Sequence, residues 1–107
     1  MRVLAQGLGA SSGRVRGRAC VMRDELRPVG QGEILVTEMT DPVSFADLVE
    51  HAAALVTNLG GLASHPAILA REMGIPAVVS AHNATEVIQD GVVIVVDGDT
   101  GEVLEVD

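Results

Sequence analysis

The chain has 107 residues, which is enough for one domain with one core and too few for two. Seven Arg, no Lys and fifteen Asp plus Glu give a formal net charge of −8. A charge of this sign repels nucleic acid and anionic lipid headgroups, and the sole aromatic residue, Phe45, gives unpaired bases nothing to stack on. We therefore expect neither nucleic acid nor a membrane as a partner.

A single cysteine, Cys20, cannot form an internal disulfide, and no second cysteine stands at metal-ligand spacing. The N-terminal residues lack the long apolar run of a signal peptide, and no stretch of about 18 apolar residues occurs anywhere. These features predict a cytoplasmic protein that holds no metal of its own. His51 and His82 have no partners at ligand spacing and are interpreted as surface residues, and Cys20 as a small core residue.

The first third of the chain predicts short strands over residues 2–5, 17–22 and 33–39. Its glycines, Gly7, Gly9 and Gly13, are interpreted as turn residues. Asp41-Pro42 then has the pattern of a helix start, with an acidic cap before a proline. It predicts a helix of two to three turns that ends near Ala52 and has an apolar stripe containing Val43, Ala46, Leu48 and Val49.

The second half alternates strands and helices. Buried strands are predicted over 53–56, 77–80 and 92–96, and a last strand over 102–106. One helix is predicted from Ser64 or His65 to Met73, ended by Gly74, and a short one after Asn83, which has capping-box spacing to Glu86. This order predicts a mixed α/β domain over residues 1–107, with one compact layer of sheet, short helices and at least one parallel connection.

The candidate site is the loop that joins the strand at 53–56 to the helix that begins near His65. Gly60 and Gly61 let the backbone approach a ligand, and the unpaired amides of a helix N-terminus favour an anion. A neutral imidazole, with a free pKa near ~6.5, can take up a phosphoryl group and release it again. From this short pattern alone, a histidine that merely begins a helix is an equally good interpretation.

A longer segment, residues 60–79, resembles the active-histidine signature of the mobile, swivelling domain of phosphoenolpyruvate-utilising enzymes. It reads Gly-Gly-Leu-Ala-Ser-His-Pro-Ala-Ile-Leu-Ala-Arg-Glu-Met-Gly-Ile-Pro-Ala-Val-Val. Stretches outside it also match, among them Ser11-Ser12-Gly13, Gly32 to Val36, Thr40-Asp41-Pro42 and Val96-Asp97-Gly98. The resemblance covers essentially the whole chain.

The resemblance implies a β/β/α phosphohistidine domain in which His65 is phosphorylated at one active site and discharged at another. It implies Gly60, Gly61 and Ser64 as phosphoryl-binding residues. It also implies partner domains, an ATP-grasp domain and in many members a phosphoenolpyruvate-binding barrel, where ATP or phosphoenolpyruvate and Mg²⁺ would bind. The alternative is a docking module that kept the fold and lost phosphotransfer.

Three positions depart from the family pattern: Ala63 replaces a Thr, Pro66 replaces an Ala, and Ser80 stands where Gly is common. Pro66 is tolerated in a first helical turn but removes one amide donor.

Two further roles stay open. Ser64 either contacts the phosphoryl group or caps the helix. Arg71 lies two turns further along the helix, where a structural ion pair is favoured. Arg14, Arg16 and Arg18 alternate along a strand and are interpreted as a solvated face.

Overall fold

The computed structural model describes residues 1–106. Eight strands form one hydrogen-bonded sheet in the order β1-β8-β7-β3-β4-β5-β6-β2. The strands are β1 (Arg2–Gln6), β2 (Leu8–Ser11), β3 (Arg14–Met22), β4 (Ile34–Thr37), β5 (Ala54–Thr57), β6 (Ala77–Val79), β7 (Val93–Asp97) and β8 (Glu102–Glu105). The helices are α1 (Pro42–Phe45), α2 (His65–Met73) and α3 (Ala84–Val87).

Strand β3 belongs to both halves of this sheet. Its first five residues, 14–18, pair antiparallel with β7, and its last four, 19–22, pair parallel with β4. Parallel pairing continues from β4 to β5 and from β5 to β6. The antiparallel half contains β1, β8 and β7, and β2 completes the far edge by pairing antiparallel with β6.

The parallel strands are buried on both faces, and alternate residues enter two different cores. Val21, Val36 and Val56 share one core with Ile94 and Val96 of the antiparallel half. The other core joins residues of the opposite face to the helical side, and it contains Cys20, Leu35, Leu55, Phe45, Val49, Ala67 and Ala70. The order of layers is therefore β/β/α, so the predicted fold class is confirmed, as are the mixed sheet and the burial of Cys20.

The first predicted helix is shorter than expected. Asp41 caps it as predicted, accepting hydrogen bonds from the backbone N–H groups of Val43 and Ser44, but α1 ends at Phe45 and turns follow to residue 51. The carbonyl of Leu48 accepts instead from Val29 N–H at 2.8 Å. Ala52 N–H pairs with Val49 O, three residues earlier, so the turns after α1 do not continue as a regular α-helix. Val43, predicted on the apolar stripe, is 93% exposed.

Glycines in the first third do more than form turns. Gly9 lies within β2, a strand that the sequence did not predict, and a Cβ on Gly9 would meet the carbonyl oxygen of Gly98. Gly9 is therefore needed for the close approach of two backbones. The three arginines predicted to line a solvated face, Arg14, Arg16 and Arg18, are exposed on β3 as expected.

Candidate functional site

Two loops at one edge of the parallel half form the candidate site. The carboxyl ends of adjacent parallel strands lie side by side, so the segment after β4 and the segment after β5 are neighbours. Thr40 lies three residues beyond β4, and His65, half-buried, is the first residue of α2. Leu59 N–H donates to Glu38 O at 3.0 Å and holds the two segments together.

Thr40 and His65 meet through their side chains. The distance from Thr40 Oγ1 to His65 Nδ1 is 2.8 Å, and Thr40 is only 3% exposed. When Nδ1 carries the proton and donates to Oγ1, the lone pair of the ring is on Nε2. Nε2 is then the nitrogen that can act as a nucleophile. Thr40 is a site residue that the sequence analysis missed, although Thr40-Asp41-Pro42 was part of the resemblance.

The predicted phosphoryl-binding residues are grouped beside His65. Gly60 has a φ of 106°, which favours glycine, and a Cβ there would lie 2.8 Å from Ser64 Oγ. Nothing lies within 4 Å of the Cβ position of Gly61, so its backbone is open on that side. Ser64 Oγ donates to Gly61 O at 2.7 Å and forms no cap hydrogen bond, so of the two predicted roles of Ser64 the helix cap is wrong.

The N-terminus of α2 has few amide donors. Its N-cap is Ser64, and Pro66 in the first turn has no N–H. Since the first amides of a helix have no partner four residues earlier, His65 and Ala67 are the first-turn donors that remain. The positive end of the helix dipole is thus beside the ring of His65, but one amide fewer is available than in a turn without proline.

A negative charge lies close to this site. The pKa of the Asp41 carboxyl is lowered, first by the hydrogen bond from Ser44 N–H, then by that from Val43 N–H, and also by the charge of His65 when its ring is protonated. Asp41 is therefore ionised at neutral pH and within electrostatic reach of the histidine. A phosphoryl group on His65 would experience repulsion from it.

Several other candidate residues lie outside the site. Arg71 Nε donates to Ala10 O at 2.8 Å, so its role is structural as predicted, but through a backbone hydrogen bond instead of an ion pair. His51 is exposed beside Glu50, and His82 is exposed in the loop after β6. Within residues 1–106 no three His, Cys, Asp or Glu side chains are grouped to hold a metal, and none of the helices is long and apolar enough to cross a membrane.

A histidine whose Nδ1 meets a threonine hydroxyl, at a helix start and behind a glycine loop, has the arrangement expected in the class of domains with a nucleophilic histidine. The comparison with protein families agrees: residues 29–101 match the model of "PEP-utilising enzyme, mobile domain", where PEP is phosphoenolpyruvate. The chain therefore belongs to this family. Membership agrees with a role as a phosphoryl carrier, and the family predicted from the sequence is confirmed.

Curated relatives are similar over almost the whole chain. A probable phosphoenolpyruvate synthase of Staphylothermus marinus is 47% identical over 97% of this chain. A probable phosphoenolpyruvate synthase of Archaeoglobus fulgidus is 45% identical, also over 97% of this chain. An uncharacterized phosphotransferase of Bacillus subtilis is 43% identical over 91%. The chain spans only 13%, 14% and 12% of these proteins, respectively. Homologous regions are thus parts of much larger proteins.

Solved structures support the fold. An enzyme I protein solved by NMR matches 75% of this chain with 31% identity and a TM-score of 0.65, over 33% of its own length. Aconitase X of Thermococcus kodakaraensis matches 96% of this chain and 98% of its own with a TM-score of 0.72, but at 20% identity this likeness concerns the fold alone.

Proposed function

We propose that this domain is a phosphoryl carrier in which His65 Nε2 is transiently phosphorylated. The observation that carries the proposal is the 2.8 Å contact between Thr40 Oγ1 and His65 Nδ1, because a proton held on Nδ1 by this contact would leave Nε2 as the nucleophilic nitrogen of a half-buried ring. Family membership supports the same role. Gly60, Gly61 and Ser64 would contact the phosphoryl oxygens.

The transfer step follows from this arrangement. The lone pair of Nε2 attacks phosphorus, a bond forms between nitrogen and phosphorus, and the bond from phosphorus to the donor oxygen breaks with its electron pair leaving on that oxygen. The proton stays on Nδ1, which donates a hydrogen bond to Thr40 Oγ1, and this bond stabilises the positive charge of the ring. On discharge, a deprotonated acceptor oxygen attacks phosphorus and forms a new phosphorus–oxygen bond, while the nitrogen–phosphorus bond breaks with its electron pair returning to Nε2, which regenerates neutral imidazole.

Donor and acceptor would be bound by partner domains. Relatives several times longer than this chain support such domains, in the same polypeptide or in another. The proposed partners are an ATP-grasp domain and a phosphoenolpyruvate-binding barrel, with ATP or phosphoenolpyruvate and Mg²⁺ bound there. The domain would thus be one component of a cytoplasmic phosphotransferase and inactive without the others.

Exposed apolar side chains on the two segments that carry Thr40 and His65 support docking onto such a partner. Five of them, here called the apolar rim, lie in the segments that carry Thr40 and His65: Met39, Val43, Leu59, Leu62 and Ile68. Exposed apolar groups concentrated in one place are typical of interaction sites. Burial of this rim would exclude water from the phosphoryl group during transfer.

Phosphoramidate tests the proposal without any partner, because it phosphorylates accessible histidines chemically with release of ammonia. We expect acid-labile, alkali-stable label on His65 at Nε2, identified by ³¹P NMR, and faster labelling there than at His51 or His82. With a purified ATP-grasp or barrel partner and labelled ATP or phosphoenolpyruvate, label should appear on wild type and not on His65→Ala. Equal labelling of both proteins would refute the carrier role.

A docking module without transfer is the second candidate, favoured by the apolar rim and by the departures at Ala63 and Pro66. It predicts that a partner binds wild type and His65→Ala with equal affinity and that neither donor labels the protein. Labelled His65 that passes its phosphoryl group to an acceptor would exclude this candidate.

A further inference from the structure

Asn58, the first residue after β5, is hydrogen-bonded in four directions. Its backbone N–H donates to Thr37 O at 3.1 Å, and its carbonyl accepts from His82 N–H at 3.0 Å. Its side-chain Nδ2 donates to Thr85 Oγ1 at 2.7 Å, while its Oδ1 accepts from Thr85 N–H at 3.1 Å. One residue thus joins the ends of β4, β5 and β6 to the start of α3.

The backbone contacts of Asn58 set the relative position of the two site loops. Thr40 follows Thr37 by three residues, and the pairing of Asn58 with Thr37 continues in that of Leu59 with Glu38. His65 follows on the other segment. The 2.8 Å contact between Thr40 and His65 therefore depends on where Asn58 lies.

The side chain of Asn58 fixes that position by acting as the cap of a helix to which it does not belong. Asn83, at the N-cap of α3, forms no side-chain cap hydrogen bond, and Asn58 Oδ1 satisfies Thr85 N–H instead. The adjoining loop has positive φ at two residues other than glycine, 55° at Ser80 and 62° at His82. Strained backbone of this kind persists only where its surroundings hold it.

We infer that Asn58 is a positioning residue for His65: its side chain anchors the loop after β5 so that Thr40 meets Nδ1 and Nε2 remains free. The importance of this positioning role for phosphoryl transfer rests on the proposed function. The test of the role does not, because the tautomer of His65 can be observed without phosphoryl transfer.

The test uses protein labelled with ¹⁵N in histidine. In wild type we expect the ring signals of His65 to show a proton on Nδ1. In Asn58→Ala they should move towards the tautomer mixture of free histidine. The signals of His51, which is exposed and precedes β5 whereas Asn58 follows it, should stay unchanged. With phosphoramidate, wild type should give the Nε2 product, and Asn58→Ala should lose this selectivity and give both ring products.

Two variants separate positioning from stability. Asn58→Asp keeps an oxygen that accepts from Thr85 N–H and Oγ1–H, so it should retain the wild-type signals. Arg23→Ala removes the 2.7 Å bond from Arg23 Nε to Thr85 O, which destabilises the same helix without touching Asn58, and should leave His65 unchanged. If Asn58→Ala does not fold, Thr85→Val removes only the hydroxyl partner and should shift the signals in the same direction.

The inference would be overturned if a folded Asn58→Ala kept the wild-type ring signals and selectivity. If Asn58→Ala does not fold, the same result in Thr85→Val would overturn it. So would an Arg23→Ala that shifts His65 as far as Asn58→Ala does. Failure of His65 to become labelled in wild type would instead count against the carrier role, and the ring signals would still decide the role of Asn58.

Discussion

At the scale of single residues, the proposed function gives the hydroxyl of Thr40 the role of selecting the reactive nitrogen of His65. Thr40→Val keeps the volume but removes the 2.8 Å hydrogen bond, so Nδ1 is no longer held. We expect the rate of phosphorylation at Nε2 to fall about five- to tenfold, the equivalent of about 1 kcal/mol for one hydrogen bond. Initial rates of labelling by phosphoramidate measure this change.

Thr40→Ser is the matched control, because it retains the oxygen and should keep most of the rate. The fold should survive both substitutions, as judged by circular dichroism. Equal rates in Thr40→Val and wild type would show that Thr40 does not act on the reaction.

Ser80 has a φ of 55°, a conformation that costs a residue with a Cβ about 1–2 kcal/mol. Its strain explains the family preference for glycine at this position. Since glycine loses about 0.5–1 kcal/mol through the entropy of the unfolded chain, Ser80→Gly should raise the free energy of unfolding by about 0.5–1 kcal/mol net. Urea denaturation measures this change in the free energy of unfolding. Ser80→Ala is the control, because alanine keeps the strain. A Gly variant no more stable than the Ala variant would contradict this explanation.

The sequence located the histidine but not the residue that orients it. His65, Gly60, Gly61 and Ser64 are consecutive or nearly so, and a local pattern of this kind is visible in a string of letters. Thr40 lies 25 positions earlier, and its contact with His65 exists only because β4 and β5 are neighbours in the sheet. Strand order is a property of the folded chain, so a spacing argument could not find this pair.

At the scale of elements, local signals predicted helix starts better than helix lengths. Asp41 and Pro42 act at the first turn of α1, and Gly74 ends α2 with a φ of 71°, as the sequence predicted. Beyond the end of α1 the chain forms turns, in which Leu48 O accepts from Val29 N–H of the loop before β4. A hydrophobic stripe cannot reveal a contact of this kind, and the stripe also misplaced Val43, which is 93% exposed.

The turn between β7 and β8 depends on one ionised side chain. Asp97 accepts hydrogen bonds from Thr100 N–H at 3.0 Å and Asp99 N–H at 2.9 Å, and it lies 3.1 Å from Arg14. These contacts, the first two above all, lower the pKa of Asp97 from its ordinary value of 3.8. A lowered pKa stabilises the fold above the unfolded value, and this stabilisation is lost as the pH falls through the folded pKa.

Asp97→Asn should therefore lower the free energy of unfolding at pH 7, and the difference from wild type should shrink as the pH falls below about 4, where the carboxylate begins to be protonated. Urea denaturation over a range of pH measures the difference. Asp24→Asn, in the exposed loop after β3, serves as control and should show no such pH dependence. A deficit in Asp97→Asn that is constant with pH would argue against a role of the charge.

At the scale of the whole molecule, the sheet is a single hydrogen-bonded unit whose two halves share one core, and β3 is the strand that allows this. The order of strands and helices along the chain predicted the fold class, because parallel connections need crossovers. It did not predict that the turn after β7 would pack against β2. That contact joins residues nearly ninety positions apart, and its only trace in the sequence is the glycine at each side.

A substitution at Gly98 tests how much the closure of the two halves contributes to the free energy of unfolding. It lies in the turn after β7, and a Cβ there would meet the carbonyl oxygen of Ser11 in β2, a backbone atom that cannot move aside cheaply. Gly98→Ala should lower the free energy of unfolding by at least about 2 kcal/mol, since overpacking is not relieved by a rotamer change. Gly61→Ala, with nothing within 4 Å, should stay within about 0.5 kcal/mol of wild type in the same urea titration. If the two variants were equally stable, the turn would be able to move away from β2 with no loss in the free energy of unfolding. The close approach at Gly98 would then contribute little to the fold.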